Sequence, residues 1–81
     1  MTENKKHKYD DRHIHLGIKI SYLRKLRGWT QEEFAERVGI SAGYLSQIEA
    51  PGVRQQISLN MLFAIAEALD VPASQLIDER E

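Results

Sequence analysis

The sequence predicts an all-α domain of five helices. Three observations carry that prediction. Apolar residues recur at spacings of three and four in successive segments, capping residues and glycine or proline divide those segments, and the period-two alternation of a β-strand is absent. A chain of 81 residues with 42% apolar side chains accommodates one such domain and its core.

The first dozen residues are polar and without period, which predicts a flexible arm over 1–12, followed by a helical domain over 13–78 and an acidic end over 79–81. From about His15, Leu16, Ile20 and Leu23 form an apolar stripe with Leu26 at its edge, while Lys19 and Lys25 fall outside it. Gly28 closes this first helix where a left-handed residue is needed. Thr30 with Glu33 three positions on is a capping box, and Trp29 stands before the cap with Phe34 at the fourth helical position, a hydrophobic staple. The second helix carries Phe34, Ala35 and Val38 inward and stops at Gly39. Ser41 caps a short third helix with Tyr44, Leu45 and Ile48. Residues 50–56, with adjoining Pro51 and Gly52, form a loop. Ser58 caps a fourth helix, for which Leu59, Leu62, Phe63, Ala66 and Leu69 are the expected buried stripe. Val71-Pro72 breaks it, and a last short helix carries Leu76 and Ile77.

The absence of cysteine excludes disulfides, thiolate zinc sites and cysteine nucleophiles. No apolar run approaches the roughly 18 residues of a membrane span, and the N-terminus lacks the apolar centre of a signal peptide, so a soluble cytoplasmic protein is expected. Eleven basic against twelve acidic residues leave a net charge of −1, which on its face disfavours a nucleic-acid partner. The charges are unevenly spread. Basic and acidic residues number four and three in 1–12, five and four in 13–49, and two and five in 50–81. The net negative charge therefore sits in the last third, and an anion-binding face in the first two thirds stays open.

The block from Gln31 to Ile48 is the most informative. Ala35 allows two helices to cross closely, Gly39 turns the chain, and Val38, Ile40, Leu45 and Ile48 lock the pair onto the domain. At about 100° per residue, burying Leu45 and Ile48 turns Gly43, Ser46 and Gln47 outward, with Ala42 and Tyr44 on the flanks. That face is small, polar and uncharged, a shape that fits a major groove of about 12 Å. Gly43 costs about 1 kcal/mol of helix stability relative to alanine, which close approach to a partner would justify.

The run Thr30-Gln31-Glu32-Glu33-Phe34-Ala35-Glu36-Arg37-Val38-Gly39-Ile40-Ser41-Ala42-Gly43-Tyr44-Leu45-Ser46-Gln47-Ile48-Glu49 resembles the helix-turn-helix of the phage Cro/repressor type, the XRE family of bacteria and phages. The likeness extends from Leu16-Gly17 and Leu23-Arg24 to Val71–Leu76. It implies a compact five-helix lambda-repressor-like fold and sequence-specific binding to double-stranded operator DNA, usually by a homodimer that regulates transcription. Carried over, Ser41 to Glu49 is the recognition helix. Gln47 is the direct reader, since a glutamine amide pairs bidentately with adenine, and Ala42 meets a thymine methyl. Gly43, Tyr44 and Ser46 complete the base-contacting set. Gln31 and Ser41 are phosphate contacts, as are Arg54, Gln55 and Gln56 in a loop that departs from the commonest family pattern. The resemblance also implies a structural ion pair between Arg24 and Glu49, with Arg27 as the rival partner.

Other readings are plainer. His7, His13 and His15 are not expected to form a metal shell, Trp29 and Tyr22 are expected to pack, and Glu32, Glu33 and Glu36 make a solvated helix face and complement the helix N-terminus. Lys5, Lys6 and Lys8 make a solubilising tail, or an arm along DNA. Leu76 and Ile77 are candidates for a dimer interface. The competing function is an antitoxin-type interaction module that binds a partner protein and its own promoter. No arrangement of nucleophile, base and pocket suggests an enzyme, and no cofactor is implied.

Overall fold

The first N–H groups of a helix need acceptors, and at three starts a side chain three positions upstream provides one. The computed structural model describes residues 9–51, 57–78 and 80, which contain five helices and no strand: α1 (Asp10–Leu26), α2 (Gln31–Val38), α3 (Ala42–Glu49), α4 (Leu59–Leu69) and α5 (Ala73–Ile77). Thr30 Oγ1 accepts the Glu33 N–H at 3.0 Å while the Glu33 carboxylate accepts the Thr30 N–H at 2.8 Å, completing the capping box. Ser41 Oγ and Ser58 Oγ each accept an N–H at 3.0 Å, from Tyr44 and Met61. Gly39 takes φ +94°, and its N–H and that of Ile40 both donate to the Ala35 carbonyl. That is the turn between α2 and α3.

One boundary differs from expectation. Helix α1 begins at Asp10, not near His15, so residues 10–12 of the expected arm are helical. Tyr9 makes no side-chain cap bond, and the first turns carry no apolar repeat, so nothing local marks the start. Lys5, Lys6, His7 and Lys8 lie outside the described residues, as do Glu79 and Glu81 of the acidic end. Helix α4 is closed by Asp70 in the left-handed region at φ 60°, one of the few residue types besides glycine that tolerate it.

The core joins all five helices through Ile20 and Leu23, Phe34 and Ala35, Leu45 and Ile48, the buried face of α4, and Leu76. Each fully buried large side chain contributes about 1.5–3 kcal/mol relative to exposure. Trp29 stacks on Phe34 with centroids 5.6 Å apart, and the Arg37 guanidinium lies 4.2 Å above the Trp29 ring, so the expected staple carries a cation on its outer side.

Three burial assignments are corrected. On α4 the buried set is Leu62, Ile65, Ala66 and Leu69, whereas Leu59 and Phe63 are 64% and 51% exposed. This helix is apolar on several sides, and the packing of α1, α2 and α5 selects the stripe centred on Ile65. Leu76 is fully buried beneath α1 and α4 and is not free to meet a partner, while Ile77 next to it remains 58% exposed. Tyr22, expected to pack, is 60% exposed.

Polar side chains tie the ends of the helices together. Lys19 Nζ donates to the carbonyls of Gln75 and Asp78 at 3.1 and 2.8 Å, holding the end of α5. Arg27 donates to the Leu69 carbonyl at the end of α4. Helices α1 and α3 cross at Gly17, where an added Cβ would overlap the Ile48 carbonyl oxygen. That backbone approach sets the depth at which α3 seats.

Candidate nucleic-acid interface

With Leu45 and Ile48 buried, the opposite side of α3 is fixed by helix geometry. Gly43, Ser46 and Gln47 are exposed, and Ala42 and Tyr44 are half-buried at the flanks, as their spacing predicts. Nothing lies within 4 Å of where a Gly43 Cβ would stand. Among the described residues no hydrogen bond engages the side chains of Tyr44, Ser46 or Gln47, so their polar groups remain available. The one carboxylate on α3, Glu49, is buried and paired, and the outward face carries no charge.

Behind that face a polar network fixes the orientation of α3. Arg24 donates from Nε to Glu49 Oε2 at 2.8 Å and from Nη2 to Oε1 at 3.0 Å, and both residues are buried. Arg24 Nη1 donates to the Trp29 carbonyl at 2.7 Å. Glu49 Oε1 also accepts from Gln31 Nε2 at 3.0 Å. The arrangement joins α1, the first residue of α2 and the last turn of α3. The ion pair implied by the resemblance is thus formed with Arg24, and the rival Arg27 is engaged at α4 instead. Gln31 gives one amide proton to Glu49 and keeps the second for an outside acceptor. Ser41, whose oxygen accepts from Tyr44, likewise keeps its hydroxyl proton. Arg54, Gln55 and Gln56 lie outside the described residues.

An open groove of about 510 Å³ runs between α1, the start of α2 and the end of α3, lined among others by Tyr22, Lys25, Gln31, Ser46 and Pro51. Gln31 and Ser46 are among the residues that the sequence predicts for a DNA contact, whereas the α1 residues of this groove are not. The available signal was Lys25, a cation outside the apolar stripe of its helix.

A helix-turn-helix family model matches residues 20–76. The chain is 34% identical over 65 residues to the HTH-type transcriptional regulator SinR of Bacillus subtilis, covering 80% of this chain and 58% of SinR. It is 38% identical over 64 residues to the immunity repressor protein of Bacillus phage phi105, covering 79% of this chain and 43% of that protein. The chain thus spans about three fifths of SinR and less of the phage protein. The fold is similar to the crystal structure of SinR in complex with DNA, with a TM-score of 0.71 and 33% identity over 78% of this chain and 98% of that one.

Proposed function

The chain belongs to the Cro/repressor-type helix-turn-helix family, and on that premise we propose that it is a sequence-specific, double-stranded DNA-binding transcriptional regulator that represses its target promoter. The observation that carries this reading is the outward face of α3, which is small, uncharged and, among the described residues, without intramolecular engagement of its polar groups. A helix presenting Gly43, Ser46 and Gln47 approaches the floor of the major groove without bulk in the way. Gln47 pairs with adenine N6 and N7, Ala42 meets a thymine methyl, and Tyr44 and Ser46 contact base edges or the adjoining phosphates. Gln31 and Ser41 donate to phosphate oxygens on either side. The solved complex of SinR with DNA and the phage immunity repressor support the reading.

The regulator acts as a homodimer. Leu59 and Phe63 on α4 and Ile77 on α5, two helices packed together, supply exposed apolar surface for a second copy. Two recognition helices then stand about 34 Å apart, one DNA turn, and read a pseudo-palindromic site. Because the chain carries a net charge of −1, affinity rests on amide and hydroxyl donors with few ion pairs, and its salt dependence is shallow for a dimeric repressor.

Selection of bound duplexes from a random pool, with sedimentation to count subunits, tests this. Enrichment of a symmetric site is expected, and Gln47→Ala then loses about 1–3 kcal/mol of preference at one base position per half-site while keeping non-specific affinity. Absence of enrichment even at low salt rejects the reading.

A further inference from the structure

Most cations in the described residues already have intramolecular partners. Lys19 is bound to the end of α5, Arg24 to Glu49, Arg27 to the Leu69 carbonyl, Arg37 to the Trp29 ring and Arg80 to Asp78. Lys25 differs. It is exposed in the last turn of α1, and among the described residues no hydrogen bond, ion pair or ring contact holds its ammonium group. It also lines the groove that contains Gln31 and Ser46.

We infer that Lys25 is a DNA-phosphate contact, and that the groove between α1 and α3 seats one backbone phosphate beside the recognition helix. The inference rests on the DNA-binding reading above and extends it to a helix outside the helix-turn-helix. The chemistry of the lining selects the ligand. Gln31 and Ser46 supply donors from α2 and α3, Tyr22 adds a phenolic hydroxyl from α1, and Lys25 supplies the positive charge. The carboxylate in the groove wall, Glu49, is compensated by Arg24, so Lys25 sets the local sign. An ammonium on a flexible stem suits a phosphate whose position is fixed by its neighbours. A contact to phosphate carries no sequence information, so it strengthens binding to every duplex alike.

The test is the salt dependence of binding for wild type, Lys25→Gln, Lys25→Arg and Arg80→Gln, each on the enriched duplex and on an unrelated one. Lys25→Gln should lower the magnitude of the slope of log K against log salt by about 1 per subunit, and weaken both duplexes by the same factor. Lys25→Arg should restore the slope. Arg80→Gln removes the same charge from a residue paired with Asp78 and should leave the slope unchanged. Thermal melts check that Lys25→Gln, which breaks no intramolecular bond among the described residues, stays folded. Wild-type binding with an unaltered slope in Lys25→Gln overturns the contact while leaving the DNA-binding reading intact. An equal shift in Arg80→Gln overturns it in favour of a net-charge effect. Failure of the wild type to bind any duplex removes both readings.

Discussion

Arg24 and Glu49 meet edge to edge across the seam between α1 and α3, with two hydrogen bonds of 2.8 and 3.0 Å, and both are buried. Neither charge has solvent to fall back on. Truncating one leaves the other desolvated and uncompensated, at a cost of about 3–5 kcal/mol, a large part of the roughly 5–15 kcal/mol that stabilises a small domain. Glu49→Ala also strips the acceptor from Gln31. The expected outcome in urea unfolding is severe destabilisation by Arg24→Ala or Glu49→Ala. The combined Arg24→Met, Glu49→Leu variant should lose much less than the sum of the two single changes. Additive losses would mean that the pair acts as two independent packing residues.

Gly17 makes an opposite kind of contact, through what it lacks. Its Cα faces the Ile48 carbonyl oxygen so closely that a methyl group cannot enter without moving backbone. Gly17→Ala gains about 1 kcal/mol of helix propensity but must push α3 away from α1. A net destabilisation of about 1–3 kcal/mol is expected, which lowers the melting temperature by roughly 4–8 °C per kcal/mol in a domain of this size. An unchanged or raised melting temperature would show that the crossing is loose.

Gly43→Ala should shift stability the other way. Its Cβ meets nothing within 4 Å, and the residue is helical without positive φ, so the propensity gain of about 1 kcal/mol is not opposed. If α3 enters the groove on this face, the same methyl should weaken specific DNA binding even though the fold is more stable. Melting and binding curves on one preparation decide this. Raised stability with unaltered binding would place Gly43 away from the DNA.

Much of this architecture was legible because its signals are local. The Thr30–Glu33 box, the Ser41 and Ser58 caps and the Gly39 turn each depend on groups within a few positions, so residue order alone predicts them. The outward face of α3 follows from helix geometry with Leu45 and Ile48 buried. What stayed hidden depends on neighbours distant in sequence. Leu59, Met61, Leu62, Phe63, Ile65 and Leu69 give α4 apolar groups on several sides, and only its partners decide which are covered. Leu76 sits in a helix of five residues, too short for periodicity to distinguish it from Ile77. The α1 wall of the groove exists because α3 crosses at Gly17, a contact no local pattern encodes.

The exposed side of α4 carries the last prediction. Leu59 and Phe63 are 64% and 51% exposed, so each buries only part of its side chain, and replacing them with serine should cost the single subunit about 1–2 kcal/mol per site, less than the roughly 3–5 kcal/mol of truncating a fully buried aromatic. A second copy seated there would lose two of its largest apolar contacts. Sedimentation of Leu59→Ser, Phe63→Ser should therefore show dissociation at concentrations where the wild type is dimeric, with the melting curve extrapolated to low concentration lowered only by that partial burial. Operator affinity should fall much further than affinity for a single half-site, because two linked recognition helices raise each other's effective concentration and separated ones do not. A variant that remains dimeric would exclude this face as the interface, and a substantial loss of subunit stability would mean that Leu59 and Phe63 support the fold rather than its assembly.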